Sequence, residues 1–125
     1  METNMVGWFE IPVVDMERAK AFYDSVFEIS IDIHDLDGLV MGWFPNAHDK
    51  VGTSGSLVKH SMYQPSDTAG PLIYFSCADL SEQLGRVESA GGTIMKPKTE
   101  IGGGHGFMAL VKDTEGNRIA LHSVA

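Results

Sequence analysis

Glu10 and His122 are the first residues of this sequence whose types and placement suit chemistry. Glu10 sits in the stretch Trp8-Phe-Glu-Ile-Pro12 and His122 in Arg118-Ile-Ala-Leu-His122, both of which read as strands. If Phe9, Ile11 and Val13 face a core, Glu10 falls on the other side of its strand, and Ile119 and Leu121 place His122 in the same way. A carboxylate and an imidazole on one concave face can share a proton or orient a water, and histidine titrates near neutral pH. Glu10 and His122 are therefore the catalytic candidates. In the competing reading Glu10 pairs with Arg118 or solvent, and His122 stands exposed near the C-terminus.

The same parity extends the face to a substrate-binding set. Trp8, Leu72, Tyr74 and Arg118 join Glu10 and His122, and Ser56 completes it from another strand. Trp8, Tyr74 and Trp43 could stack on a planar ligand, or fill a cavity floor or a dimer interface. Ile101-Gly-Gly-Gly-His-Gly106 lacks the signature of a phosphate cradle; it is a long hairpin loop, or a flap that carries His105 and Phe107 toward a ligand. His34, His48 and His60 fall in turns or at strand ends, where solvent is expected to reach them. Cys77, on the core side of its strand, reads as a small buried hydrophobe.

These positions depend on an internal repeat. Trp8-Phe-Glu-Ile-Pro-Val-Val-Asp15 and Leu72-Ile-Tyr-Phe-Ser-Cys-Ala-Asp79 are both apolar stretches that end in an Asp at a helix start. After Asp15, the residues Ala19, Phe22, Tyr23, Val26 and Phe27 follow the spacing of one helix face; after Asp79 come Leu80, Leu84, Val87 and Ala90. Strands are predicted over 29–33, 39–44 and 53–59 in the first repeat, and over 93–96, 107–112 and 118–124 in the second. The fold class is thus α+β: two βαβββ repeats, one helix each, forming curved mixed sheets around a cleft. One domain over 1–125 is expected, with repeats at about 6–60 and 71–125 and a linker at about 60–70.

Composition narrows the partners. The chain has 125 residues, with Lys and Arg numbering 9 against 17 Asp and Glu, for a net charge of −8. An acidic chain with scattered cations lacks the basic footprint that nucleic acid or an anionic membrane surface requires. No apolar run approaches the ~20 residues of a membrane span, and the N-terminus carries no secretory pattern. The lone cysteine cannot form an intrachain disulfide, so a cytoplasmic setting is expected.

The repeated plan, the stretch Val13-Val-Asp-Met-Glu-Arg-Ala-Lys-Ala-Phe-Tyr23 and the closing Asp113-Thr-Glu-Gly-Asn-Arg-Ile-Ala-Leu121 resemble the vicinal oxygen chelate superfamily. That group includes lactoylglutathione lyase, the bleomycin and fosfomycin resistance proteins and extradiol dioxygenases; the Trp8-Phe-Glu-Ile-Pro12 opening most resembles its bacterial glyoxalase-like branch. The resemblance implies a divalent metal held by one residue from the first and last strands of each repeat. It places those positions at Trp8, Leu72, Ala120 and at or next to Ser56. Trp, Leu and Ala side chains donate nothing to a metal, and a serine hydroxyl is a poor ligand for Mn, Fe, Ni or Zn. The expectation is a domain that binds a small organic molecule without metal or other cofactor, by sequestration or as a metal-independent lyase or isomerase. Lactoylglutathione lyase activity itself is not expected, because that chemistry uses a metal.

Two rivals stand beside it. One is a lyase, isomerase or dioxygenase holding Ni, Zn, Mn or Fe through displaced ligands, with His105 as third to Glu10 and His122. The other is a dimeric module without ligand chemistry. A homodimer is expected in any case, because two small sheets leave strand edges to cover.

Overall fold

A computed structural model describes residues 2–125. The first repeat comprises β1 (Phe9–Pro12), α1 (Met16–Phe27), β2 (Asp32–Leu36), β3 (Leu39–Trp43) and β4 (Gly55–Lys59). The second comprises β5 (Tyr74–Ser76), α2 (Leu80–Val87), β6 (Thr93–Glu100), β7 (Phe107–Lys112) and β8 (Arg118–Ser123). Each repeat forms a four-stranded mixed sheet, ordered β1-β4-β3-β2 and β5-β8-β7-β6. β1 runs parallel to β4 and β5 to β8, while the other pairings are antiparallel. Neither sheet closes, so β1 and β5 are each left with a free edge.

Both helices start where the spacing places them, but α2 ends at Val87 and leaves Ala90, expected on its face, in the turn beyond. Asp15 caps α1 by accepting from the Arg18 N–H at 3.1 Å, and Asp79 caps α2 by accepting from Ser81 at 2.9 Å. Met16, Ala19, Phe22, Tyr23 and Val26 make the buried face of α1. Its end explains why β2 begins later than expected. Glu28 closes the helix in the left-handed conformation, and Asp24 then holds Ile29 N–H through its carbonyl and Ile31 N–H through its carboxylate. The chain is tied to the helix until Ile31, so β2 starts at Asp32 and runs on to Leu36 in place of the expected 29–33. On the other side β6 extends to Glu100, passing register shifts near Lys96 that let its outer half bend.

Both helices pack on a single core. Ile11, Val13, Phe22, Tyr23, Leu57, Leu80, Val87, Val111, Ile119 and Leu121 belong to one buried cluster, joined across the repeats. Gly92 makes close packing there possible: a Cβ would stand 2.5 Å from a Phe22 ring carbon and 2.8 Å from the Lys112 carbonyl.

The closing turn clasps the repeats together. Tyr23, fully buried on α1, donates its hydroxyl to Asp113 at 2.6 Å. The other Asp113 oxygen accepts the N–H groups of Glu115 and Asn117, and Asn117 Nδ2 donates to the Pro12 carbonyl on the free edge of β1 at 2.6 Å. Glu115, whose side chain is wholly buried, accepts from the N–H groups of Val14 and Asp15 and pairs with Arg18 at 2.7 Å. Burial alone would push the Glu115 carboxyl up, but Arg18 and the two backbone donors outweigh it and hold the carboxyl below its usual range.

Candidate functional site

Strand parity sets the β1 candidates apart from the core, while Ser56 on β4 is fully buried. Ile11 and Val13 are buried under the helices, while Trp8 and Glu10 are exposed on the opposite face. The register places Glu10 beside Ser56, Ser56 beside Trp43 and Trp43 beside Asp32, one row across that face of the first sheet. On the second sheet Tyr74 lies beside Ala120, and Ser76 beside His122 and then Met108.

Glu10 and His122 stand on different sheets, and among the described residues no hydrogen bond joins them. Glu10 accepts from the Tyr63 hydroxyl at 2.9 Å, which raises the Tyr63 hydroxyl above its ordinary range. His122 Nε2 lies 2.8 Å from the backbone oxygen of His105. Nor does Glu10 pair with Arg118 among the described ion pairs. Tyr63 escaped sequence reasoning because it stands in a polar linker without periodicity; residues 60–73 hold no helix or strand.

The glycine-rich segment is the loop between the antiparallel β6 and β7, closed by the Ile101 N–H on the Gly106 carbonyl at 2.9 Å. Gly106 has φ 84°, and a Cβ there would collide with the Ser123 carbonyl, so only glycine fits. Phe107 packs against the core with Lys98 Nζ 4.7 Å from its ring centre. His34 differs from expectation: it is half-buried on β2, its ring centre 3.9 Å from that of Trp43 and its Nε2 2.9 Å from Asp32, because the later start of β2 brings it onto the sheet. Cys77 is half-buried against the core, and burial pushes its thiol up, away from the reactive thiolate.

Two concavities draw lining residues from both repeats. The smaller, about 450 Å³, is bounded by Trp8, Glu10 and Pro12 of β1, Gln64 and Ser66 of the linker, and Asn117 and Arg118 at the closing turn. It brings Trp8, Glu10 and Arg118 of the expected set together. The larger, about 590 Å³, lies where β1, β5, the end of α1 and the segment 44–54 meet. Leu72 and Tyr74 line it together with Phe27, Phe44 and the two residues that parity had assigned to the core, Phe9 and Phe75. Ser56, His105, Phe107 and His122 line neither.

Ser56 is fully buried, and its hydroxyl has no hydrogen-bond partner. A lone hydroxyl of this kind is a weak donor to a metal, and the other positions that the resemblance implies, Trp8, Leu72 and Ala120, supply no ligating atom. Among the described residues no group of three or more His, Cys, Asp or Glu is placed to hold an ion. The side chains at these positions therefore do not fit a superfamily-type metal. No helix among the described residues is long and apolar enough to cross a membrane.

The sequence matches the family model described as the Glyoxalase/Bleomycin resistance protein/Dioxygenase superfamily over residues 5–121. A search of curated protein sequences returns no match. Among solved structures, the fold is similar to glyoxalase I from Zea mays, with a TM-score of 0.72 and 18% identity over 94% of this chain. This chain spans only 45% of that one. It is also similar to TnmS3, an antibiotic binding protein from Streptomyces sp. CB03234, with a TM-score of 0.67, 21% identity and 98% of both chains covered. A glyoxalase/bleomycin resistance protein from Albidiferax ferrireducens T118 gives a TM-score of 0.71 at 17% identity, covering 96% of this chain and 98% of the other. At such identities the likeness is one of fold.

Proposed function

This chain belongs to the glyoxalase/bleomycin resistance protein/dioxygenase superfamily, and on that premise we propose that it binds a small organic molecule between its repeats without the superfamily's metal. The observation that carries this reading is the concavity of about 450 Å³ in which Trp8, Glu10 and Arg118 converge. It combines an indole for stacking, a carboxylate and a guanidinium, the mixture that fixes a ligand's orientation in an otherwise apolar site. Tyr63 steadies the carboxylate, and the Arg118 side chain has no ion-pair partner among the described residues. The site suits a flat molecule with a donor at one end, for Glu10, and an acceptor or anion at the other, for Arg118. TnmS3, an antibiotic binding protein, shows that this fold can serve binding of a small organic molecule.

The test couples metal analysis to ligand screening. Purified protein is expected to carry no stoichiometric Ni, Zn, Mn or Fe, and to retain none after incubation with excess metal and desalting. A panel of flat heteroaromatic compounds is then screened by tryptophan fluorescence, with Trp8→Phe and Trp43→Phe separating the two reporters. A hit whose quenching disappears in Trp8→Phe, and whose affinity falls about tenfold in Arg118→Gln, supports the reading. Near-stoichiometric metal that is lost in Glu10→Ala or His122→Ala would overturn it in favour of displaced ligands.

We propose a homodimer as well. Leu36 and Trp43, which line neither concavity, leave 48% and 38% of their surface exposed. A second copy would cover such apolar surface on the sheet faces not packed by helices.

A further inference from the structure

We propose that the larger concavity, which adjoins the smaller at Val6, Phe9 and Ile73, is a second ligand site, selective for a flat aromatic carboxylate. Its wall is aromatic. The Phe9 ring centre lies 5.5 Å from that of Phe44 and 5.9 Å from that of Phe75, and Phe27 lies 4.8 Å from Phe75. Phe9, Phe27 and Phe75 are only partly buried although they pack on the core, so their rings reach both the core and the concavity. A wetted phenylalanine forgoes much of its burial energy, and a ring seated against these three would recover it. The volume of about 590 Å³ lies within the range of small-molecule pockets.

Charge selects the other end of the ligand. The chain carries −8 overall, yet no Asp or Glu lines this concavity; Lys50 is the one titratable lysine, arginine or acid among its lining residues. The turn that bonds Lys50 N–H to the Ala47 carbonyl at 3.1 Å sets it on the rim. Its ammonium makes no ion pair among the described residues. The Ser54 hydroxyl is already committed to the carbonyls of Phe44 and Pro45, so Lys50 is the strong donor left at the rim. An apolar wall with one free cation, in an acidic protein, favours an aryl carboxylate and repels an aryl ammonium.

Calorimetric titration of the full chain with 2-naphthoate, and with the neutral 2-naphthamide, tests the assignment. Naphthoate is expected to bind more tightly than the amide. Lys50→Gln should weaken naphthoate about fivefold and leave the amide unchanged. Tyr74→Ala, at an exposed edge position that leaves the core intact, should weaken both. Equal binding of acid and amide, insensitivity to Lys50→Gln, or no binding would each overturn the inference. Naphthoate binding lost in Trp8→Phe but kept in Tyr74→Ala would overturn it too, while leaving the Trp8 site standing. A binding isotherm replaced by a concentration-dependent association that Tyr74→Ala abolishes would show that a second copy fills the concavity, against the proposal.

Discussion

The clasp between repeats can be measured through Tyr23→Phe, which removes one oxygen and keeps the ring. The Tyr23 ring contacts Phe22, Phe27, Phe44 and Phe75, so the packing survives the substitution. What is lost is a buried 2.6 Å hydrogen bond to the Asp113 carboxylate. Hydrogen bonds to charged groups contribute about 1.5–3 kcal/mol. Asp113 keeps three donors, from the N–H groups of Glu115 and Asn117 and from Asn117 Nδ2, which places the expected loss near the lower end, about 2 kcal/mol. For a domain of this size that corresponds to a fall in Tm of roughly 6–8 °C. Burial and the neighbouring Asp113 also push the Tyr23 hydroxyl well above its ordinary value of 10.0. A group raised in the folded state contributes stability that is present below its unfolded pKa and is lost as the pH climbs beyond it. Urea unfolding of the wild type should therefore weaken above about pH 10, and that part of the alkaline slope should be missing in Tyr23→Phe. A loss below about 0.5 kcal/mol at pH 7, or an unchanged alkaline slope, would show that the bond does not hold the repeats together.

Other outcomes follow from the same contacts. Glu115 is depressed in the folded state, so its contribution is present above the unfolded carboxylate pKa and disappears as the pH falls through the lower folded value. Glu115→Gln should thus lower stability at pH 7 and flatten the acid limb of a pH–urea series below about pH 4.5. Gly106→Ala should destabilise by at least about 1 kcal/mol in thermal unfolding, because the left-handed backbone and the Ser123 carbonyl both reject a Cβ. Cys77 should alkylate with iodoacetamide well below the rate of a free thiol at pH 8, and reach the free rate only on unfolding.

Local pattern carried most of the fold. The Asp15 and Asp79 caps, the apolar helix faces and the strand alternation each depend on nearest neighbours, and each is where the sequence implies. The late start of β2 was hidden because it depends on Asp24 folding back onto Ile31, a side-chain contact that no period reports. The candidate site was legible by parity and obscure by depth. Alternation turned Trp8 and Glu10 outward, but it could not tell that Phe9 and Phe75 serve the core and a concavity at once. Pairing between Glu10 and Tyr63 spans a linker of irregular backbone, where neither period nor motif constrains direction.

The two concavities differ in how firmly their walls are held, and this bears on what each can do. Asn117 lines the smaller one, and it is fixed by bonds to Asp113 and to the Pro12 carbonyl, with Arg118 next in sequence. A site anchored to a buried polar network keeps its charged groups in place, which suits recognition by directed hydrogen bonds. The larger one is walled by phenylalanine rings and by the segment 44–54, where Val51 is 99% exposed and Ser54 makes the side-chain hydrogen bonds to Phe44 and Pro45. Apolar contacts are non-directional, so such a wall adapts to ring shape while Lys50 sets the sign of the charge. The proposed polar site thus stands beside the clasp, and the proposed aromatic one adjoins it at Val6, Phe9 and Ile73. Under the two proposals, Glu10 and Arg118 would set orientation in the first, and ring area with a single cation would set affinity in the second.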